Sequence, residues 1–355
     1  MQGTGYWSSI LRRRISRRRA IAAASGGIAG GLFLAACGSD GGDTTGEASL
    51  LSDPVDTTRS AQPGGIWSRS VNLDVQTWDV NVNSSSISIS EYMPAYSMLT
   101  KYGRGLDGKN PGAEAITGDA ARSWEISPDA TRITLHLRDN HKFDPRPPTN
   151  GRPMDSGDIV YSWEKFAALN RFRGEIIHEI DPAGPIVSMS APDAKTVVFD
   201  LAYPYTAITE VFAFHTYLFV LPKEAEGGFD PKSTVRGSGP FFVETIEPSI
   251  GWQFRKNPDW YEPGRPFLDG IDTKIFPEYA SGLVQFEAAA LWTYPVTQED
   301  VLRVKRARPE LVMLPTTTGG IPSTGFMSPS RRPGNPLLDV RVRRAASMLI
   351  DRDLW

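Results

Sequence analysis

The chain has 355 residues, with 38 Lys and Arg against 41 Asp and Glu and a formal charge of −3. Hydrophobic residues make up 40% of it and nine residues are tryptophan, enough to build real cores, so a wholly disordered chain is excluded. The length suggests about two domains. Beyond residues 1–36 the chain is mildly acidic, so no nucleic-acid partner, which would want clustered Lys and Arg, is expected.

Residues 1–36 stand apart. They carry six arginines (Arg12, Arg13, Arg14, Arg17, Arg18 and Arg19) and no acidic residue, so the remaining 319 residues hold a charge of −9. An apolar run over residues 21–36 ends in Leu34-Ala35-Ala36-Cys37. Its 16 residues fall short of the roughly 20 that cross a bilayer core, and its glycines weaken it as a permanent helix. Basic start, short apolar middle and small residues at the end predict a cleaved signal peptide over 1–36. Cys37 is the only cysteine, so no internal disulfide exists. Leu34, Ala35 and Ala36 before it complete a lipoprotein box, in which small residues admit the peptidase and the thiol takes the lipid. Ser16-Arg17-Arg18-Arg19-Ala20-Ile21 resembles the twin-arginine export motif, with Arg17 and Arg18 as the pair. Ala20 stands where that motif usually has phenylalanine, and an ordinary basic start for the general secretory route remains the other reading.

Residues 37–65, rich in Gly, Ser, Thr and Asp, predict a flexible tether, with structure starting near Gly65-Ile66-Trp67. Short strands then alternate with helices. Residues 131–137 alternate strictly, with Ile133, Leu135 and Leu137 on one face and turn-prone residues on both sides. Residues 158–170 predict an amphipathic helix with Ile159, Trp163 and Phe166 on its stripe, Asp155 as N-cap and Asp158 favouring the dipole. A strand over 196–201 and a helix over 206–215 follow. Residues 241–246 and 252–255 flank Pro248-Ser249-Ile250-Gly251 as a hairpin. Thr297-Gln298-Glu299-Asp300 caps a helix running to about Ala307, and Asp339 caps another that extends to Trp355. The apolar stripe of that last helix (Val342, Ala345, Ala346, Leu349, Leu354) has no later sequence to pack against, which reads either as docking on the body or as a chain cut short inside a domain.

Chemistry-bearing patterns are few. Gly103-Arg104-Gly105-Leu106-Asp107-Gly108 matches a dinucleotide fingerprint as a string, but no buried strand precedes it and no helix opens from it, so it reads as a loop. The four histidines (His136, His141, His178, His215) are scattered without metal-ligand spacing, so no metal is expected. No nucleophile elbow and no paired carboxylates are recognisable, so no catalytic residue is assigned and no enzyme activity is expected. Trp252 to Phe254 and Trp260-Tyr261 read as core or hairpin packing.

Four blocks in order carry a family resemblance. The first runs from Ser123-Trp124-Glu125-Ile126-Ser127-Pro128-Asp129-Ala130 to Lys142-Phe143, and the second is residues 150–163, Asn-Gly-Arg-Pro-Met-Asp-Ser-Gly-Asp-Ile-Val-Tyr-Ser-Trp. The third is Gly237-Ser238-Gly239-Pro240-Phe241 with the hairpin and Arg255-Lys256-Asn257-Pro258-Asp259-Trp260-Tyr261, and the fourth runs from Asn335-Pro336-Leu337-Leu338-Asp339 to Asp351-Arg352. Together they resemble the extracellular solute-binding proteins, family 5, the peptide- and nickel-binding receptors of ABC importers. Two departures stand out: Ala288-Ala289-Ala290-Leu291-Trp292 replaces the family's Gly-Glu-Ile-Asp-like turn, and residues 145–150 are longer than usual.

The resemblance implies an α/β, bilobal, type II periplasmic-binding-protein-like fold whose second lobe is largely missing from this chain, read as a truncated product. Residues 66–312 would form the first lobe with an inserted subdomain at about 103–205, and 313–355 the start of the second. It implies a cleft wall at the loop after the first strand, where Asn83, Ser84 and Ser85 would hydrogen-bond the ligand, and a crossing between lobes at Gly319 and Gly320, suited to a hinge. It implies a monomeric lipoprotein of the cell envelope, anchored outside the cytoplasmic membrane, that takes a peptide or other small solute without a cofactor and hands it to ABC permease subunits. A metal chelate or oligosaccharide is the alternative ligand, and a lipid-anchored secreted hydrolase the alternative class.

Overall fold

The computed structural model describes residues 60–82, 86–103, 116–314 and 334–349. Strand β1 (Ile66–Val71) is half-buried along its length, with Trp67 and Val71 packed against the core. A loop leads to helix α1 (Ser86–Tyr92) and then to the antiparallel pair β2 (Thr100–Tyr102) and β3 (Ile116–Gly118).

A second group of elements comes from nearly continuous sequence: β4 (Ala121–Ile126), β5 (Arg132–Leu137), α2 (Ser156–Leu169), the short α3 (Arg173–Ile176), β6 (Ile186–Asp193) and β7 (Thr196–Leu201). The strands form an antiparallel sheet in the order β4-β5-β7-β6. The alternation over 131–137 does bury Ile133, Leu135 and Leu137, which meet Val197 and Phe199 of β7 and Ile159 and Phe166 of α2. Trp163 packs partly buried against the same core, edge-on to Phe199 at 5.5 Å. The start of α2 is fixed by a capping box: Asp155 accepts from the Gly157 amide at 2.9 Å, and Asp158 accepts from the Asp155 amide at 3.0 Å. Asp158 does more than favour the dipole. It is fully buried, takes both ends of the Arg152 guanidinium (2.6 and 2.8 Å), and accepts the Lys223 amide at 3.0 Å.

Helix α4 (Ile208–Ala213) is shorter than the 206–215 expected, because Phe214 turns to an extended backbone. Strands β8 (Phe241–Glu247) and β9 (Gly251–Lys256) form the expected hairpin, and β10 (Gly270–Ile275) joins them in a sheet ordered β1-β10-β9-β8. Only β1 and β10 in it are parallel, pairing Ile66 with Gly270 and Val71 with Ile275. Gly251 closes the hairpin at φ +153°, where a Cβ would lie 2.0 Å from the Thr273 carbonyl oxygen. This sheet buries Trp252, Phe254, Ile271 and Val243 against Trp78, Tyr92 and Ile89.

Helix α5 (Tyr279–Glu287) ends at Ala288, and Ala289 takes φ +59°, a left-handed conformation where glycine is the usual residue. Helix α6 (Gln298–Ala307) does start at Thr297, but no side-chain cap forms: the Thr297 hydroxyl instead meets the Tyr279 hydroxyl at 3.2 Å. Helix α7 (Val340–Met348) is capped by Asp339, which accepts from the Arg341 amide at 2.8 Å. None of its side chains is buried. Residues 350–355, with Leu354 of the expected stripe, lie outside the described residues.

Candidate functional site

The loop after β1 is held by interior contacts, and these decide where it can present a surface. At its root the Val71 carbonyl accepts from the Phe276 amide at 2.8 Å, and Asp74 accepts from the Ser249 amide at 2.6 Å. The Thr77 carbonyl accepts from the Tyr92 hydroxyl at 2.5 Å, and the Trp78 amide donates to Lys232 at 3.0 Å. Trp78 and Val80 are buried, while Asp79 between them folds its carboxylate back onto the Asn81 amide at 2.9 Å. Val82, 48% exposed, is where the described loop emerges from the body. Asn83, Ser84 and Ser85 come next in the chain and lie outside the described residues, as do Gly319 and Gly320. So do Arg17, Arg18, Leu34, Ala35, Ala36 and Cys37, and the fingerprint string beyond Gly103.

Beneath this loop lies a charged contact that sequence reasoning missed. Arg69 of β1 pairs with Glu91 of α1, and the Arg69 Nε also donates to Thr273 Oγ1 at 3.1 Å. The Trp252 indole donates to the same Glu91 oxygen, Oε2, at 2.8 Å. Burial pushes the Glu91 carboxyl above its usual range, opposed by the Arg69 charge and the Trp252 and Arg69 hydrogen bonds. The available signal was slight: an arginine within a strand and a glutamate three positions after Ser88, so that both lie on one side of α1, where they are buried.

A second polar cluster joins the neighbourhoods of the two sheets. Asp119 accepts from the Met98 amide and from the Tyr261 hydroxyl, both at 2.8 Å, and the Arg138 guanidinium lies 4.2 Å from the Tyr261 ring centre. Nearby, His141 Nε2 lies 3.0 Å from both Ser97 Oγ and the Ser238 carbonyl. A Ser–His contact is a candidate for nucleophilic chemistry, but this one is buried on both sides. His141 Nδ1 has no partner among the described residues, where a hydrolase would need an orienting carboxylate. Burial holds the imidazole down to about 4, so it is neutral. The pair is interior packing. Trp252, Phe254 and Tyr261 are likewise buried, as packing residues.

Among the described residues no group of three or more His, Cys, Asp or Glu is placed to hold a metal ion. No helix among them is long and apolar enough to cross a membrane. What the described residues offer is a loop, 72–82, anchored on the β1-β10-β9-β8 sheet through Asp74, Thr77 and Trp78.

Solved structures share this fold over part of the chain. The chain matches an ABC transporter-associated periplasmic binding protein, DppA, of Helicobacter pylori solved with the peptide STSA, with a TM-score of 0.60 and 20% identity, over 70% of this chain and 50% of that one. It also matches a binding protein of A. tumefaciens R10, MoaA, solved with mannopinic acid, with a TM-score of 0.59 and 26% identity, over 70% of this chain and 48% of that one. The class is therefore that of the bilobal α/β periplasmic binding proteins. Residues 115–355 match the model of the bacterial extracellular solute-binding proteins, family 5 (middle region), and the chain belongs to that family. A Brucella ovis relative, assigned by name to the ABC transporter peptide-binding proteins, is 28% identical over 53% of this chain and 35% of its own length. The oligopeptide-binding protein OppA of Bacillus subtilis is 23% identical over 90% of this chain and 57% of its own. The chain thus spans from about a third to just over half the length of these relatives.

Proposed function

We propose that this chain captures peptides, or a small solute of similar polarity, for import by an ABC transporter. The observation that supports this reading most is the family match over 115–355, continuous from β4 through the β8–β10 sheet to α7. In this reading residues 1–36 direct export, with Arg17 and Arg18 as a twin-arginine pair and Leu34, Ala35 and Ala36 as the cleavage site. Cys37 carries the lipid anchor and 37–65 tether the protein to the outer side of the cytoplasmic membrane. Residues 66–312 form the first lobe, with the β4-β5-β7-β6 sheet inside its inserted subdomain (about 103–205), and 313–355 begin the second.

Asn83, Ser84 and Ser85 contribute hydrogen bonds to a backbone-like ligand, held mainly by main-chain groups in water-lined pockets. Gly319 and Gly320 serve the hinge about which lobes close. The protein acts as a monomer, catalyses no reaction, needs no cofactor, and presents its closed form to permease subunits. The test is calorimetric titration of residues 38–355, beside a version extended by the second lobe, with trialanine and with a random tripeptide pool. Saturable heat and a raised melting temperature are expected of the extended version and weaker binding of the short one. Flat titrations of the extended version with both peptides would overturn the peptide reading.

A non-peptide solute is the second reading. It is favoured by the higher identity to the protein solved with mannopinic acid, 26% against 20% for the peptide complex. Binding of mannopinic acid but not trialanine in the same titration would select it.

A further inference from the structure

We propose that the loop of residues 144–151 guards the open side of β8: the Arg146 guanidinium occupies the Val243 carbonyl there and keeps a second copy of this chain from adding a strand. Strand β8 is an outer strand of its sheet, paired with β9 on one side only. Pro240 and Phe242 turn towards β9: the Pro240 carbonyl accepts from the Asn257 amide at 2.9 Å, and Phe242 lies across from Arg255. Phe241 and Val243 therefore present their main-chain groups to the other side, where a strand could add. The start of that edge is covered by main chain. The Gly239 amide donates to the Ala95 carbonyl at 2.9 Å, and the Phe241 amide to the Pro94 carbonyl at 3.0 Å. The next outward position, Val243, is met by a side chain instead: Arg146 Nη2 donates to its carbonyl at 2.7 Å, and the guanidinium lies 4.8 Å from the Phe242 ring centre. Just beyond, the ladder to β9 shifts register between Val243 and Thr245, a bulge of the kind that ends pairing at an edge.

The arginine is held in place. Asp144, fully buried, receives it as a fork: Nε lies 2.9 and 3.2 Å from the two carboxylate oxygens, and Nη2 also donates to Oδ2. The loop closes on the Asp144 carbonyl, which accepts from the Gly151 amide at 3.0 Å and the Thr149 hydroxyl at 2.7 Å. It is tied to the chain just before β8 by the Asp144 amide on the Gly237 carbonyl at 2.8 Å and by Arg236 Nε on the Pro147 carbonyl at 2.7 Å. A charge-assisted bond from a fixed guanidinium is hard for an incoming amide to displace. Displacing it would also leave a guanidinium and a carboxylate inside the new interface, at a desolvation cost. Such a guard gives the monomer reading above a physical cause, and it is tested apart from that reading.

Residues 38–355 contain no cysteine, since Cys37 is the only one, so an introduced thiol reports on one place. Glu244→Cys puts it on an exposed position of β8, giving up a pair with Arg255. Ser190→Cys, the control, puts it on an exposed position of β6, an outer strand of the other sheet. Each reporter is combined with unchanged Arg146, with Arg146→Ala, with Arg146→Lys, and with Arg146→Ala plus Asp144→Asn, which leaves no buried charge behind. Disulfide-linked dimer is then measured under oxidising conditions. Arg146→Ala and the double variant should raise the link at 244 at least tenfold and leave that at 190 unchanged, with Arg146→Lys in between. If Arg146→Ala fails to fold, the double variant carries the comparison. Three results overturn the proposal: a link at 244 that stays at the unchanged level in the double variant, one already complete with Arg146 present, or an equal rise at 190, which unfolding would give. Self-association of the unchanged chain without a link at 244 would count against the monomer reading alone and favour the guard.

Discussion

The two sheets solve the problem of forming a core in opposite ways. The β4-β5-β7-β6 sheet comes from residues 121–201, closes on α2, and fills its interior with Ile133, Leu135, Val197, Phe199 and Phe166, with no ion pair among them. The β1-β10-β9-β8 sheet draws β1 from one end of the described body and the rest from residues 241–275, and it places Arg69 and Glu91 within its apolar layer. Both regions bury an ion pair, but the local one (Arg152–Asp158) joins residues six positions apart at the start of α2, whereas Arg69 meets Glu91 across 22 positions and Thr273 across 204.

The largest expected effect comes from cutting into the local core. Phe199 is fully buried, with ring centres of Trp163 and Phe212 at 5.5 and 4.7 Å. Phe199→Ala should cost about 3–5 kcal/mol in denaturant unfolding. Protection should be lost first in β5 and β7; equal loss in β9 and β10 would mean that the sheets unfold as one.

Arg152→Met tests the charged clamp at the edge of the same region. It would leave Asp158 buried without its guanidinium and free Glu224, which Arg152 also holds. A loss of about 3 kcal/mol is expected, and the double variant Arg152→Met, Asp158→Asn should recover part of it.

The junction between the sheets should respond to acid. His141 is held neutral, with its pKa lowered to about 4 by burial, so below the ordinary histidine range the unfolded chain takes a proton that the folded one refuses. Stability from this group is therefore complete above about pH 6.5 and is lost as pH falls towards 4, by an amount on the order of 2–3 kcal/mol. Asp119 opposes it: burial raises its pKa, so it favours the folded state at acid pH and loses that contribution as pH rises. Melting of His141→Gln and Asp119→Asn between pH 4 and 7 should flatten and steepen the acid slope respectively. An unchanged slope in His141→Gln would remove the assignment.

The smallest effect concerns the turn after α5. Ala289 holds φ +59°, and the neighbouring Ala290 amide donates to Gln285 at 2.9 Å. Ala289→Gly relieves the left-handed backbone, partly offset by a more flexible unfolded chain, for a net gain of about 0.5 kcal/mol. A lower melting temperature would contradict this account.

These contrasts also explain what the residues disclosed in advance. Strict alternation over 131–137, the Asp155 cap, the hairpin about Ser249 and the strand over 196–201 were legible because each rests on neighbours in sequence. The four family blocks were legible as ordered strings. Arg69 and Glu91 were not, since their contact joins a strand and a helix 22 positions apart and shows only in the folded chain. Thr297 carries the right residue for a cap, but a tyrosine 18 positions away takes its hydroxyl. The ligand residues proposed at 83–85 rest on the family's pattern, because no local periodicity marks a polar loop as a wall.

The parallel pairing of β1 with β10 sets a timetable. Arg69 and Thr273 are 204 positions apart, and a ribosome adding roughly 5–20 residues per second needs on the order of 10–40 s to deliver the partner strand. During that interval the sheet of residues 121–201 has all its strands in hand, while β1 waits with backbone donors and acceptors unmatched. The newborn chain therefore passes through a stage with one finished half and one sticky ribbon. A chaperone that shields residues 66–71 would act in that window, before Gly270–Ile275 arrives to close it.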